Sequence, residues 1–213
     1  MLDETERTVI RGHITQKSLR DSYFGLTERA KVDLDFLLLT VAAAIVCAFG
    51  FKMNSAAVIV GAMVISPLLY PVICAGVATY QADWKEFIRA IGTFVAGFGS
   101  AVAATAVVGH FYATAFRSEI IDRLSEGALE YFFVAFLSGL AGTYAFFSPK
   151  IHEAVAGIAI SVALMLPVVM LGIGLGLGIA KQDANLALVS SKIVLGNVVG
   201  IYFGSIAMVA VLN

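Results

Sequence analysis

The chain has 213 residues, 60% of them hydrophobic and 14% charged, with a formal net charge of −1. A soluble domain runs at about 45–50% apolar and about 25% charged residues, so this composition, with a mean hydropathy of +0.91, places the chain in a membrane. The balanced charge excludes the basic face of a nucleic-acid binder, and the length leaves room for one multi-span domain.

Residues 1–33 read as a cytoplasmic arm. Arg7, Arg11, Lys17, Arg20, Arg29 and Lys31 are balanced there by Asp3, Glu4, Glu6, Asp21, Glu28 and Asp33. The apolar set Ile10, Ile14, Leu19, Tyr23 and Leu26 fits either a surface helix along the membrane or a neighbouring subunit, or a solvated tail. The arm has no apolar core of the kind a cleavable signal needs.

Residues 34–213 then predict an all-α transmembrane domain of six spans, at about 35–51, 55–80, 87–111, 131–147, 154–180 and 186–212. A helix of about 20 residues crosses the hydrocarbon of a bilayer. The second and fifth spans, at about 26 residues and about 39 Å, must tilt, kink or contain a non-helical piece. Arg7 to Lys31 of the arm, Lys85, Arg89 and Lys150 fall on one side, and only Lys52, Arg117, Arg123 and Lys181 on the other. By the excess of cations on cytoplasmic loops, both termini face the cytoplasm of a multi-pass inner-membrane protein.

The second span contains "VIVGAMVISPLLYPVICAG" (58–76), free of charge yet interrupted by Ser66, Pro67 and Pro71. Proline removes one helical hydrogen bond and clashes with the carbonyl four residues back. Laying each residue over the one 96 positions later pairs Gly61 with Gly157, Leu68 with Leu164, Pro71 with Pro167 and Gly76 with Gly172. The same offset lays span one on span four and span three on span six, where Ala96, Ser100 and Ala104 face Lys192, Gly196 and Gly200. Repeat one covers about 35–111 and repeat two about 131–207. Each holds three spans, so the second copy enters the membrane from the opposite side and the repeat is inverted. Spans interrupted at equivalent places in inverted halves point to a midplane binding site. A freed carbonyl in lipid costs several kcal/mol unless something satisfies it.

The residues that would line such a pathway for a small solute or ion are Asn54, Ser55, Ser66, Pro67 and Pro71 in the first half, and Ser161, Pro167, Lys192 and Asn197 in the second. Asn54 and Ser55 equally fit a cap on the second span. Lys192 lies near a span end, where its stem can snorkel. Asn197 either lines a cavity or ties two helices together. Gly172, Gly174, Gly176 and Gly178 cover opposite helix faces, so that stretch is either loosely helical or approached from several sides. Gly196, Gly200 and Gly204 make one face for close helix packing, and such faces favour a homo-oligomer. Cys47 and Cys74 read as buried hydrophobes. No metal-ligand spacing or hydrolase or phosphate-loop motif is present, so neither cofactor nor enzyme activity is expected.

The stretches "NSAAVIVGAMVISPLLYPV" (54–72), "AGIAISVALMLPVVMLGIGLG" (156–176) and "GNVVGI" (196–201) resemble the domain-of-unknown-function 389 family of hydrophobic membrane proteins. The resemblance covers roughly residues 30–212 and implies the multi-span architecture. Tyr70 stands where the family usually has glycine, and Leu166–Pro167 where it has two prolines, which predicts a softer break in the fifth span. The expected function is a transporter or channel for a small solute or ion at a midplane site. The alternative is a non-transporting oligomeric scaffold or sensor.

Overall fold

The computed structural model describes residues 16–112, 128–148, 153–181 and 185–212. They form eight helices: α1 (Gln16–Arg29), α2 (Leu34–Lys52), α3 (Ala56–Ile65), α4 (Leu69–Tyr80), α5 (Trp84–Phe111), α6 (Ala128–Phe147), α7 (Glu153–Lys181) and α8 (Asn185–Leu212). Four of these, α2, α5, α6 and α8, contain segments long and apolar enough to cross a membrane, and the bent pair α3–α4 makes a fifth candidate. In α7 the described stretch Leu164–Ile179 is apolar as well. The limits expected from composition fall within a helical turn of these helices.

Local chemistry sets the ends. Asp33 opens α2 by accepting the Phe36 N–H at 2.6 Å, and Asp83 opens α5 by accepting the Glu86 N–H at 3.2 Å. Asn54, at φ 50°, closes α2. Its N–H bonds Phe51 O at 3.1 Å and the Ser55 N–H bonds Gly50 O at 2.9 Å, the Schellman pattern. Asparagine tolerates this left-handed conformation. The expected cap on the second span is therefore corrected in part: Asn54 ends the helix before it. Ser55 holds the N-cap position of α3 but makes no side-chain capping bond.

The second span breaks at Ser66–Leu68, and α3 and α4 meet at 53°. The cause is local. A residue before proline is pushed out of the helical region, and Ser66 is extended at φ −73°, ψ 123°. Its N–H turns to Met63 O at 3.3 Å, while the Leu68 N–H reaches Ser66 Oγ at 3.5 Å. The stretch expected as the fifth span differs, because α7 continues through Pro167 without interruption. Of the interruption or kink expected there, the interruption is corrected: a lone proline removes a single N–H, and helix continues on both sides of it.

Helix α2 packs on α3 and on α5, and α4 packs on α5, while α6, α7 and α8 pack on one another. The two sets join through α5 against α7 and α4 against α8. The buried stripe of α5 is Gly97, Ala101, Thr105 and Gly109, one residue on from the expected row Ala96, Ser100 and Ala104, which is half-buried. A one-residue step rotates a helix face by about 100°. On α8, Gly200 and Gly204 lie against the backbone of α6 near Phe132 and Phe136, whereas Gly196 has no neighbour within 4 Å. These small-residue faces are used inside the chain.

The arm is helical from Gln16 and docks on its own chain, against α4 and α6. Leu26 and Ala30 are buried there. Tyr23 Oη donates to Asp83 Oδ2 at 3.2 Å, and an Arg89 nitrogen donates to Thr27 O at 2.9 Å. Ile10 and Ile14 lie outside the described residues, as does the side chain of Leu19.

Candidate functional site

The broken span is the centre of the site. Leu68, within the break, and Phe36, from the first turn of α2, both lie over Gly97, half-way along the 28-residue α5. A Cβ built on Gly97 would come within 2.7 Å of the Phe36 ring and 2.8 Å of Leu68 Cδ2. From the other half, Met165 of α7 approaches the break, and Ser66 Oγ donates to its Sδ at 3.6 Å. Met165 stands two residues before Pro167, so the two proline-bearing stretches touch each other.

Ser66 and Pro71 are buried and Pro67 is half-buried. Pro167 is buried in α7, and Asn197 of α8 is only 2% exposed. Asn54 is exposed and Ser55 half-buried at the far end of α3, so these two do not join the break. Lys192 is exposed on α8, consistent with a cation reaching away from the interior. The side chain of Ser161 lies outside the described residues.

Beside the break, Pro71, Val72 and Ala75 of α4 face Phe94 of α5 and Val198 and Tyr202 of α8 across a cavity of about 310 Å³. Its lining is apolar except at Tyr202, whose hydroxyl donates to Thr79 Oγ1 at 2.9 Å. Buried polar side chains elsewhere in the described spans, such as Thr40, Thr105, Thr143 and Ser205, are uncharged. The described residues include no grouping of His, Cys, Asp and Glu suited to a metal ion.

Close backbone contact holds the walls. A Cβ on Gly76 of α4 would meet Ser205 Cβ at 2.7 Å and Tyr202 O at 2.9 Å on α8. Gly172 of α7 lies in the same way against Thr105 and the Val102 carbonyl of α5. The alternate glycines of α7 are approached from two sides, Gly174 by the start of α8 and Gly176 by Ala106 and His110 of α5.

Sequence reasoning did not find the cavity or the arm's contacts. Tyr70 ties the arm to α4 and α6: the Arg29 guanidinium lies 5.6 Å from its ring centroid, an Arg29 nitrogen donates to its hydroxyl at 3.4 Å, and its ring meets Phe146 edge-on at 6.4 Å. Asp83 with Glu86 three residues later was an available signal, being the spacing of a helix start. Burial raises the Tyr23 hydroxyl well above the usual tyrosine range, and the adjacent Asp83 carboxylate adds to the effect.

Apolar helices long enough to cross a membrane, one pair broken at a proline and packed around an apolar cavity, define a helical membrane protein. The chain belongs to the family described as Domain of unknown function (DUF389), which it matches over residues 63–203. It is similar to Uncharacterized protein MJ0678 of Methanocaldococcus jannaschii, at 24% identity over 153 residues, which is 70% of this chain and 47% of that protein. The chain thus spans about half the length of that relative. No solved structure matches it.

Proposed function

We propose that the protein is a transporter or channel that passes a small solute or ion along the break in its second span. The observation that carries this reading is the meeting of Ser66 and Met165, where a real interruption in one half is closed by the proline-bearing stretch of the other. Displacing Met165 from Ser66 would open a polar hydroxyl and non-helical backbone to a passing solute.

The reading includes six spans in two inverted three-helix repeats, with both termini in the cytoplasm of an inner-membrane protein. Matching contacts support the repeat. The α2–α5 and α6–α8 pairs correspond under the 96-residue offset, as do α4–α5 and α7–α8, and α5–α7 and α8–α4. Gly76 and Gly172 are equivalent under it, and both meet a helix of the other half. Because the buried polar side chains of the described spans are uncharged, the solute is handled by hydroxyls, amide and backbone rather than by a buried carboxylate.

The test uses single cysteines from Val64 to Val72 in a Cys47→Ala, Cys74→Ala background, with proteoliposome flux of ions and small organic solutes. The reading expects labelling by a water-soluble thiol reagent at Ser66→Cys or Val64→Cys, with measurable flux. A folded protein that neither labels there nor moves any solute would favour the second reading, a non-transporting scaffold or sensor. The Arg29–Tyr70 contact, which couples the arm to the start of α4, supports that alternative.

A further inference from the structure

The cavity between α4, α5 and α8 has the wrong chemistry for water or an ion. A buried water needs about 2–4 polar partners, and the one lining hydroxyl, of Tyr202, already donates to Thr79. At about 310 Å³ the space lies at the small end of the range of about 300–1,000 Å³ typical of ligand pockets. It is roughly twice the size of an apolar cavity of about 150 Å³ that stays dry and admits benzene.

Its surroundings identify the occupant. Ile91 lines the cavity and is also 40% exposed, so the cavity reaches the outer surface of α5. On the same helix Ile88 and Val95, three and four residues to either side, are 67% and 59% exposed. That flank is apolar at helical spacing, as a surface facing hydrocarbon must be. One turn before it, Trp84 meets Phe87, another lining residue, with ring centroids 5.5 Å apart. Trp84 is 65% exposed and Lys85 is exposed. Tryptophan belongs at headgroup level in a bilayer, and a lysine there attracts a lipid phosphate.

We infer that the cavity is a binding site for one acyl chain of a membrane phospholipid. The chain enters past Ile91 from the bilayer and lies against Val72, Ala75 and Val199, and the lipid phosphate is held at Lys85 beside Trp84. Every apolar contact the chain makes replaces an empty volume inside the protein wall, and no polar group loses a partner. This inference does not depend on solute passage at the break.

The experiment reconstitutes the full chain in phosphatidylcholine–phosphatidylglycerol vesicles containing a phospholipid with a mid-chain diazirine, and maps photo-adducts by mass spectrometry. Lipids of the surrounding bilayer label Ile88 and Val95. Val72 and Ala75, 3% and 1% exposed, can be labelled only by a chain inside the cavity. The expected result is adducts on Val72 or Ala75 in addition to the exposed pair. Filling the cavity with Val199→Phe, or with the smaller Ala75→Leu, should reduce the interior adducts at least about five-fold and leave those on Ile88 and Val95 unchanged. Adducts confined to Ile88 and Val95 in the native chain would overturn the inference, as would interior adducts that persist in a folded variant. Protein–protein cross-links at the cavity in place of lipid adducts would assign it to a second copy of the chain instead. Where neither variant is monodisperse, the map of the native chain decides.

Discussion

Ser66 and Met165 lie 99 positions apart in the chain, yet the hydroxyl of one donates to the sulfur of the other at 3.6 Å. Each stands within two residues of a proline in its own half, Pro67 and Pro167. The contact is weak by distance and by the softness of sulfur as an acceptor. A weak contact suits the opening that the proposed pathway requires. Thioethers adapt their rotamers easily, so Met165 can leave Ser66 without disturbing the helix that carries it.

Pro67 is the cause of the break, because it holds Ser66 extended and supplies no N–H to Met63 O. Pro67→Ala is expected to reduce the 53° bend and to restore one helical bond. The thermal midpoint in detergent should rise, by the equivalent of up to about 3 kcal/mol, the amount a proline costs inside a helix. Spin labels on α3 and α4 would report the straightening as a longer distance. An unchanged distance would mean that tertiary packing, and not Pro67, holds the bend.

Gly76 and Gly61 make a matched pair of tests. Alanine at Gly76 would drive a methyl to 2.7 Å from Ser205 Cβ and 2.9 Å from Tyr202 O, in a contact where backbone cannot give way. Overpacking of this kind costs about 1–3 kcal/mol, so Gly76→Ala should lower the unfolding midpoint clearly. Gly61 in α3 has nothing within 4 Å. There alanine gains up to about 1 kcal/mol of helix propensity, and Gly61→Ala should be neutral or stabilising. Equal effects of the two changes would mean that α4 and α8 do not approach as closely as described.

Tyr23 anchors the arm through Asp83, and its hydroxyl ionises only well above the usual tyrosine range, chiefly because of burial. Such a group contributes its full stability below its unfolded value of about 10 and loses it as pH rises through the higher folded value. Hydrogen exchange of α1 should therefore accelerate above about pH 10. Tyr23→Phe removes a hydrogen bond to a carboxylate, worth about 1 kcal/mol at this half-buried site. The variant should exchange faster at neutral pH and lose most of the alkaline step. A step of the same size in the variant would assign it to another group.

The helices were legible because apolar length and charge punctuation are local signals, and residues 35–51 or 186–212 carry them without help from the rest of the fold. The break at Pro67 was legible for a related reason, since the preceding residue is constrained by sterics within one peptide unit. At Pro167 interruption and kink both stayed open in the sequence, with a softer break expected than at Pro67, because a lone proline costs a single N–H and only the surrounding α7 decides whether helix continues. The cavity was invisible: Val72, Phe94 and Tyr202 read as ordinary span residues until three helices bring them together. The stripe of α5 was missed by one position because Ala96 and Gly97 are equally small, and small size alone does not tell which of two adjacent faces is buried.

Ala82 closes α4 in the left-handed region at φ 57°, a conformation that costs a residue with a Cβ about 1–2 kcal/mol. The closure itself is well made. The Ala82 N–H bonds Thr79 O at 3.1 Å, and the Asp83 N–H bonds Ala78 O at 2.9 Å. Ala82→Gly should keep both bonds and relieve the strain, less about 0.5–1 kcal/mol for the greater freedom of glycine in the unfolded chain. The expected outcome is a gain of up to about 1 kcal/mol, read as a higher unfolding midpoint. Ala82→Val should lose more than about 1 kcal/mol, since a β-branched side chain is a true outlier there. Because Asp83 both follows this turn and receives Tyr23, the valine variant should also speed hydrogen exchange in α1. A valine variant as stable as the native chain, with α1 still protected, would show that the turn does not hold the left-handed geometry on which the junction of α1, α4 and α5 is built.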